Sequence, residues 1–327
     1  MRKAFVALLL SLSVALALSL SVALAGCGGD RPVTGLRVMV PNNPGSGYDV
    51  TARSAVLAME QAGLARNVEV FNLPGVSGTI GLQRLVNERG NGALLMQMGL
   101  GVVGAVHTAR SPLDVTDTTP IARLTEDAEA VAVPADSPYR NLDELMTAWR
   151  ADPSRVPVAG GSSPGGPDHL ATHLLAQAVG LDPRRVTYVE FDGGGDLLAA
   201  LLGDRVAFGV SSPTEFRDQI EAGQLRVLAV TSAQRVPGVD APTLREVGVD
   251  LQFANWRGLV APPGLAEADR RALTRLVDGM HGSPEWAQVL ARMNVTDAYL
   301  TGDAFGEFLR SEDERVAGVL QRLGLAT

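Results

Sequence analysis

Short apolar runs alternate along most of this chain with stretches of helical periodicity. "LRVMV" at 36–40 is the kind of run that fills a sheet covered on both faces. Residues 49–62 then place Ala52, Val56, Met59 and Ala62 on one helical stripe, and Gly63 follows as a stop. The unit recurs. "VEVF" (68–71) leads into "NLPGVSGT" and a helix from about Ile80, and "ALLMQM" (93–98) leads into "GLGVVG". "VPVAG" (156–160) leads into "GSSPGGPD" and a helix from His169 to Val179. "VTYVEF" (186–191) leads into "DGGGD", and "VAFGV" (206–210) into "SSPTEF". "EAVAVPAD" (129–136) and "LRVLAVT" (225–231) read as extended, Asn141 with Glu144 as a capping box, and the tail from about Glu267 as mostly helical. The alternation predicts an α/β fold with mainly parallel sheets. Ligands of such sheets collect beyond the carboxyl ends of strands, where every Gly-rich loop falls.

The first residues break the pattern. Arg2 and Lys3 precede residues 4–25, which are Ala, Leu, Val and Ser almost throughout, and "LAGC" ends at Cys27. A charged start, an apolar core and small residues predict an export signal over 1–26. "LAGC" resembles a lipobox, with cleavage before Cys27 and a diacylglycerol on its thiol. A plain N-terminal membrane anchor is the other reading, since a mostly apolar stretch of 22 residues can span a bilayer. Residues 27–35 read as a tether. The mature chain keeps 26 basic residues against 36 acidic ones, a poor balance for nucleic acid. Cys27 is the single Cys and Lys3 the single Lys, which excludes disulfides, thiol nucleophiles, Schiff-base chemistry and a Walker A loop from the mature chain.

The chemical motifs point toward binding. "GLGVVG" fits G-x-G-x-x-G but follows the third strand, and the acids after it, Asp114 and Asp117, sit in a Pro-bounded loop. A tight turn that lets backbone approach a ligand fits better. "GSSPG" fits G-x-S-x-G with Ser163 as nucleophile, but Pro164 has no N–H for an oxyanion. His169 and His173 have metal-compatible spacing beside Asp168, without a third ligand, so His173 reads as a packing residue. Arg53 and Arg123 are candidate carboxylate partners, although Arg53 also suits an intrahelical pair with Asp49. Trp256 suits a hinge or core.

The loops together carry a family likeness. "LRVMVPNNPGSGYDVTAR" resembles the first loop of the Bug/TctC-type substrate-binding proteins of tripartite tricarboxylate transporters, through Pro41, Pro44, Gly45, Asp49, Ala52 and Arg53. "NLPGVSGTIG" resembles their second loop, and "GGSSPGGPDHLA", "LLGDRVAFGVSSPTE", "AGQLRVLAVTSAQR", "APTLREVGVD" and "WRGLVAPPG" follow in the family's order. The likeness spans about 36–264. Ser46 replaces a frequent second Gly, and Asn42 and Asn43 replace the usual Phe-containing pair.

The resemblance implies a two-domain periplasmic-binding-protein-like (type II) fold with a ligand cleft between the domains. One domain would span 36–130 plus 256–327 and the other 131–255, with crossings near 128–135 and 250–258. It also implies a receptor, without catalysis or cofactor, for a small organic carboxylate. The receptor would deliver that ligand to permease subunits at the extracytoplasmic face of the membrane. A sensory partnership with a signalling kinase, and an envelope hydrolase using Ser163, are the rival readings.

The expected ligand contacts are Gly45, Ser46, Gly47 and Tyr48 in the first loop, with Asp49 as helix cap. Ser77, Gly78 and Thr79 follow in the second. Ser162, Ser163, His169, Gly194, Gly195 and Ser211 close from the other domain. A carboxylate suits these loops because helix N-termini offer free N–H groups and a favourable dipole.

Overall fold

The computed structural model describes residues 32–191 and 193–326. The expected leader and Cys27 lie outside the described residues. So does most of the tether, but Val33–Thr34 (β1) pairs in parallel with Ala65–Arg66 (β3), so the end of that segment is a short strand.

Two sheets organise the rest. β2 (Arg37–Val40), β4 (Glu69–Asn72), β5 (Leu94–Gly99), β6 (Thr119–Asp127), β12 (Asn255–Ala261) and β13 (Thr296–Thr301) form the larger, in the order β13-β6-β12-β5-β2-β4. β7 (Ala130–Pro134), β8 (Val158–Gly160), β9 (Tyr188–Glu190), β10 (Phe208–Ser211) and β11 (Leu225–Val230) form the smaller, in the order β11-β7-β10-β8-β9. The chain leaves the larger sheet after Asp127, enters the smaller at Ala130, and returns at Asn255.

The sheets are mixed, which corrects the mainly parallel expectation. β2 runs parallel to β4 and β5, and β8 parallel to β9 and β10. β12 runs antiparallel to β5 and β6, and β7 antiparallel to β10 and β11. β7 and β12 are the strands on which the chain arrives from the other sheet, and β13 is a third reversed strand, added antiparallel at the edge of β6; no local pattern encodes these directions.

Helices follow the carboxyl ends of the parallel strands: α1 (Gly47–Gln61), α2 (Thr79–Asn87) and α3 (Leu100–Thr108) in the first domain. α4 (Leu142–Ala151), α5 (Pro167–Ala178), α6 (Gly194–Leu202) and α7 (Arg217–Glu221) belong to the second. α8 (Glu267–His281), α9 (Pro284–Met293) and α10 (Gly302–Arg322) return to the first. "GLGVVG" is therefore the start of helix α3, and the tail is interrupted by β13, an edge strand on β6. At α4 half of the expected capping box forms: the Glu144 N–H donates to Asn141 at 2.9 Å, while the Glu144 carboxylate accepts the N–H of Arg140, one residue before the cap, at 2.7 Å. Trp149 and Phe208 meet edge to face at 5.1 Å, both fully buried under the smaller sheet. Trp256 is buried against Phe305 and Phe308, a core position as expected.

Candidate functional site

The loops that end β2, β4, β8, β9 and β10 converge on a cleft of about 580 Å³ between the two sheets. Of the expected contacts, Gly45, Ser46, Gly47, Tyr48, Ser77, Ser162, Ser163, Gly194 and Ser211 line it.

The first jaw is the loop at 41–46 running into α1. Ser46 caps the helix, its hydroxyl accepting the Asp49 N–H at 3.3 Å. Asp49 is therefore not the cap itself. Its carboxylate turns back to accept the Gly45 N–H at 2.9 Å, the Asn72 side-chain amide at 2.9 Å and Arg53 Nε at 3.0 Å. Asn72 also donates to the Asn42 carbonyl at 3.0 Å, so Asp49 ties the first loop to the end of β4. Burial opposes its charge, but Arg53, Gly45 and Asn72 outweigh burial and hold the carboxyl below its usual value.

Asp49→Ala should cost about 1–3 kcal/mol of stability, the scale of partly buried donors left without a charged acceptor. Because the folded-state value is lowered, that contribution is present above about pH 4 and fades as pH falls through it. Urea unfolding of variant and parent at pH 7 and pH 3 checks both points.

Gly47 and Tyr48 stand in the first turn of α1, where N–H groups have no intrahelical partner. Arg257, on β12, lies against Gly47: a methyl there would come within 2.8 Å of Nη2. The Tyr48 hydroxyl accepts the Gly101 N–H at 3.0 Å, and burial pushes the phenol up to about 12. The second loop contributes Pro74, Gly75 and Ser77. Gly78 instead packs on Val102 and Pro41, and the Thr79 hydroxyl donates to the Val76 carbonyl at 3.1 Å. Neither lines the cleft: Gly78 is buried at the turn and Thr79 opens α2.

On the opposing jaw, Ser162 accepts the Asp168 N–H at 3.1 Å and Asp168 accepts the Gly161 N–H at 2.7 Å. His169 is 4% exposed and does not reach the cleft. Its Nδ1 accepts the Gly165 N–H at 3.3 Å, while its ring packs on His173 at 4.1 Å and Tyr188 at 5.0 Å. Burial drives it down to about 3, so it is neutral and braces the loop. His173 donates from Nδ1 to the His169 carbonyl at 2.7 Å, a packing residue as expected. Gly195 lies one residue too far into α6 to line the cleft. The Ser163 hydroxyl donates to Glu190 at 3.2 Å, no described histidine is bonded to it, and Pro164 follows it without an N–H, so the oxyanion donor of a serine hydrolase is not in place.

Neither Arg53 nor Arg123 lines the cleft. Arg53 serves Asp49 and Asn72. Arg123 donates to the Ala298 carbonyl at 2.7 Å and lies over Phe308. Among the described residues the cation at the cleft is Arg257, which sequence reasoning missed. It also missed Asn255 and three acids, Glu129, Asp168 and Glu215, that line the same space. Burial raises all three carboxyls, Asp168 to about 7 and Glu129 well above its usual value.

Two α/β domains, crossed twice by the chain and closing glycine-rich jaws on a polar cleft, define a solute-binding protein of the periplasmic type. The sequence model of the TctC family, the tripartite tricarboxylate transporter family receptors, matches residues 51–325, and the chain belongs to that family. It is a binding receptor of the extracytoplasmic compartment and not an enzyme. A Cupriavidus necator protein described as "UPF0065 protein in gbd 5'region" is 27% identical over 305 residues, covering 90% of this chain and 89% of its own. A TctC solute-binding protein from Polaromonas superposes with a TM-score of 0.73 at 27% identity, over 89% of this chain and 99% of that one. MatC from Rhodopseudomonas palustris, solved with bound malate, superposes with a TM-score of 0.74 at 22% identity, over 88% and 99% of the two chains.

Proposed function

We propose that the protein captures a small organic carboxylate in the cleft and delivers it to a tripartite tricarboxylate-type membrane permease. The observation that carries this is the first jaw. The open first turn of α1 and the Arg257 guanidinium lie against each other at Gly47, which makes one anion site of N–H groups, helix dipole and charge. The malate held by MatC supports the ligand class. The domains are taken as 36–130 plus 256–327 and 131–255, the lipid anchor as Cys27, and the ligand contacts as the cleft-lining residues of both jaws.

A thermal-shift screen of mono-, di- and tricarboxylates against the mature protein tests the reading. A true ligand at about 100 times its dissociation constant adds about 2.7 kcal/mol to stability. If no acid moves the melt while uncharged or purely cationic solutes do, the carboxylate reading fails.

A further inference from the structure

Among the described residues, the charged groups lining the cleft are Glu129, Asp168, Glu215 and Arg257. Three carboxyls against one guanidinium are a poor match for a ligand that brings only carboxylates. Glu129 sharpens the mismatch. It sits on the crossing between β6 and β7 and is 0% exposed. Neither of its carboxyl oxygens has a hydrogen-bond partner among the described residues. Its electrostatic neighbours are Asp168, Asp127 and Glu215, opposed by Arg257 alone. The Ser211 hydroxyl donates to Glu215 at 3.0 Å and also faces Asp168, which has the Gly161 N–H besides, so Glu129 is the acid left without a donor among the described residues.

A second unpartnered atom lies outside the acid group. Asn255 is 7% exposed and lines the cleft, and its Oδ1 has no partner among the described residues. An amide oxygen can only accept. Buried acceptors left without donors are costly, and a carboxylate brings none. An ammonium brings three donors and a positive charge. A metal cation is the poorer match, because no group of three or more His, Cys, Asp or Glu among the described residues is arranged to hold one.

We propose that the ligand is an amino-bearing acid, its carboxylate at the first jaw and Arg257 and its protonated amine seated among Glu129, Asp168 and Glu215 beside Asn255. The proposal rests on the carboxylate reading of the preceding section and adds a charge selection to it. The receptor then prefers an amino acid over the same acid without its amine.

The groups that face Glu129 set the pH dependence: Asp127 on β6, Asp168 on α5, Tyr188 on β9, Glu215 before α7 and Arg257 on β12. Burial shifts all three cleft carboxyls upward, Asp168 to about 7. A bound ammonium favours their ionised forms, so binding releases protons and tightens as pH rises from about 5 to 8. A carboxylate held by protonated acids would show the opposite slope.

The test is isothermal titration calorimetry of the mature protein at pH 5.5 and 8. The probes are the L-amino acids, each beside its deamino counterpart (aspartate with succinate, glutamate with glutarate), and putrescine as an amine without a carboxylate. The expected result is an amino acid that binds at least tenfold more tightly than its counterpart, more tightly at pH 8, and with proton release. In Glu129→Gln that gap closes to less than threefold while the melting temperature does not fall. Deamino acids that bind as well as or better than the amino acids overturn the amine seat and leave the carboxylate reading standing. Putrescine binding with both acid series silent overturns both. A flat response to every probe overturns the amine seat, while the wider carboxylate screen decides the other reading.

Discussion

Gly104→Val leaves the protein folded and weakens ligand binding by roughly a hundredfold. Gly104 lies inside α3, on the first domain, and faces Gly165 in the loop after β8, on the second. Any side chain at Gly104 overlaps the Gly165 carbonyl, and one at Gly165 meets Gly104 and Thr108. The contact is backbone on backbone, so no rotamer relieves the clash. Helix α3 itself does not lose by the change, because valine is a better helix former than an interior glycine by about a few tenths of a kcal/mol. The open clamp is thus unharmed or slightly stabilised, whereas the closed one carries an overpacked contact worth about 3 kcal/mol, or roughly two decades in affinity. Calorimetry beside a melting curve separates the two effects. Unchanged affinity would show that ligand is held without this contact; a collapsed melt would show that the contact belongs to the fold rather than to closure.

The parts of this site that the sequence displays are those whose chemistry is local. A strand, a glycine-rich loop and a helix lie side by side in the chain, so Gly45 to Tyr48, Ser162 and Ser163 are found by pattern alone. Roles inside a loop are harder. Ser46 and Asp49 both suit a cap, and the choice depends on which residue has extended backbone at the helix start. His169 looks exposed in the first turn of α5, yet Tyr188 and His173 enclose it.

The charged lining is the least visible. Glu129 and Arg257 are 128 positions apart, and Glu215 lies between them in a different turn. Each reads as an ordinary polar end of a strand or loop. Only the double crossing brings them together, because β6 and β12 lie side by side where the chain changes sheets. The one legible hint is the acid that stands directly before the five buried residues of β7.

Glu129→Gln raises the stability of the unliganded protein by about 1–3 kcal/mol at neutral pH, the scale of an unsatisfied buried group relieved. The side chain is fully buried, its oxygens have no donor among the described residues, and its strongest neighbours are carboxyls. Glutamine keeps the shape and brings two N–H donors to the acceptors around it. The pH dependence follows from the direction of the shift. Burial and like charge raise the folded-state value well above 4.5. Below about pH 4 folded and unfolded chains both hold the proton, and the acid carries no titration penalty. As pH rises past about 4.5 the unfolded chain releases it and the folded chain does not, so folding loses about 1.4 kcal/mol per unit until the folded-state value is reached. The gain from Glu129→Gln is therefore larger at pH 7.5 than at pH 4.5, and urea unfolding at the two values measures it. A structural acid would give the reverse, a variant less stable at neutral pH. A stabilised variant that no longer prefers amino acids identifies Glu129 as strain that the ligand relieves, since binding sites trade stability for function at such groups.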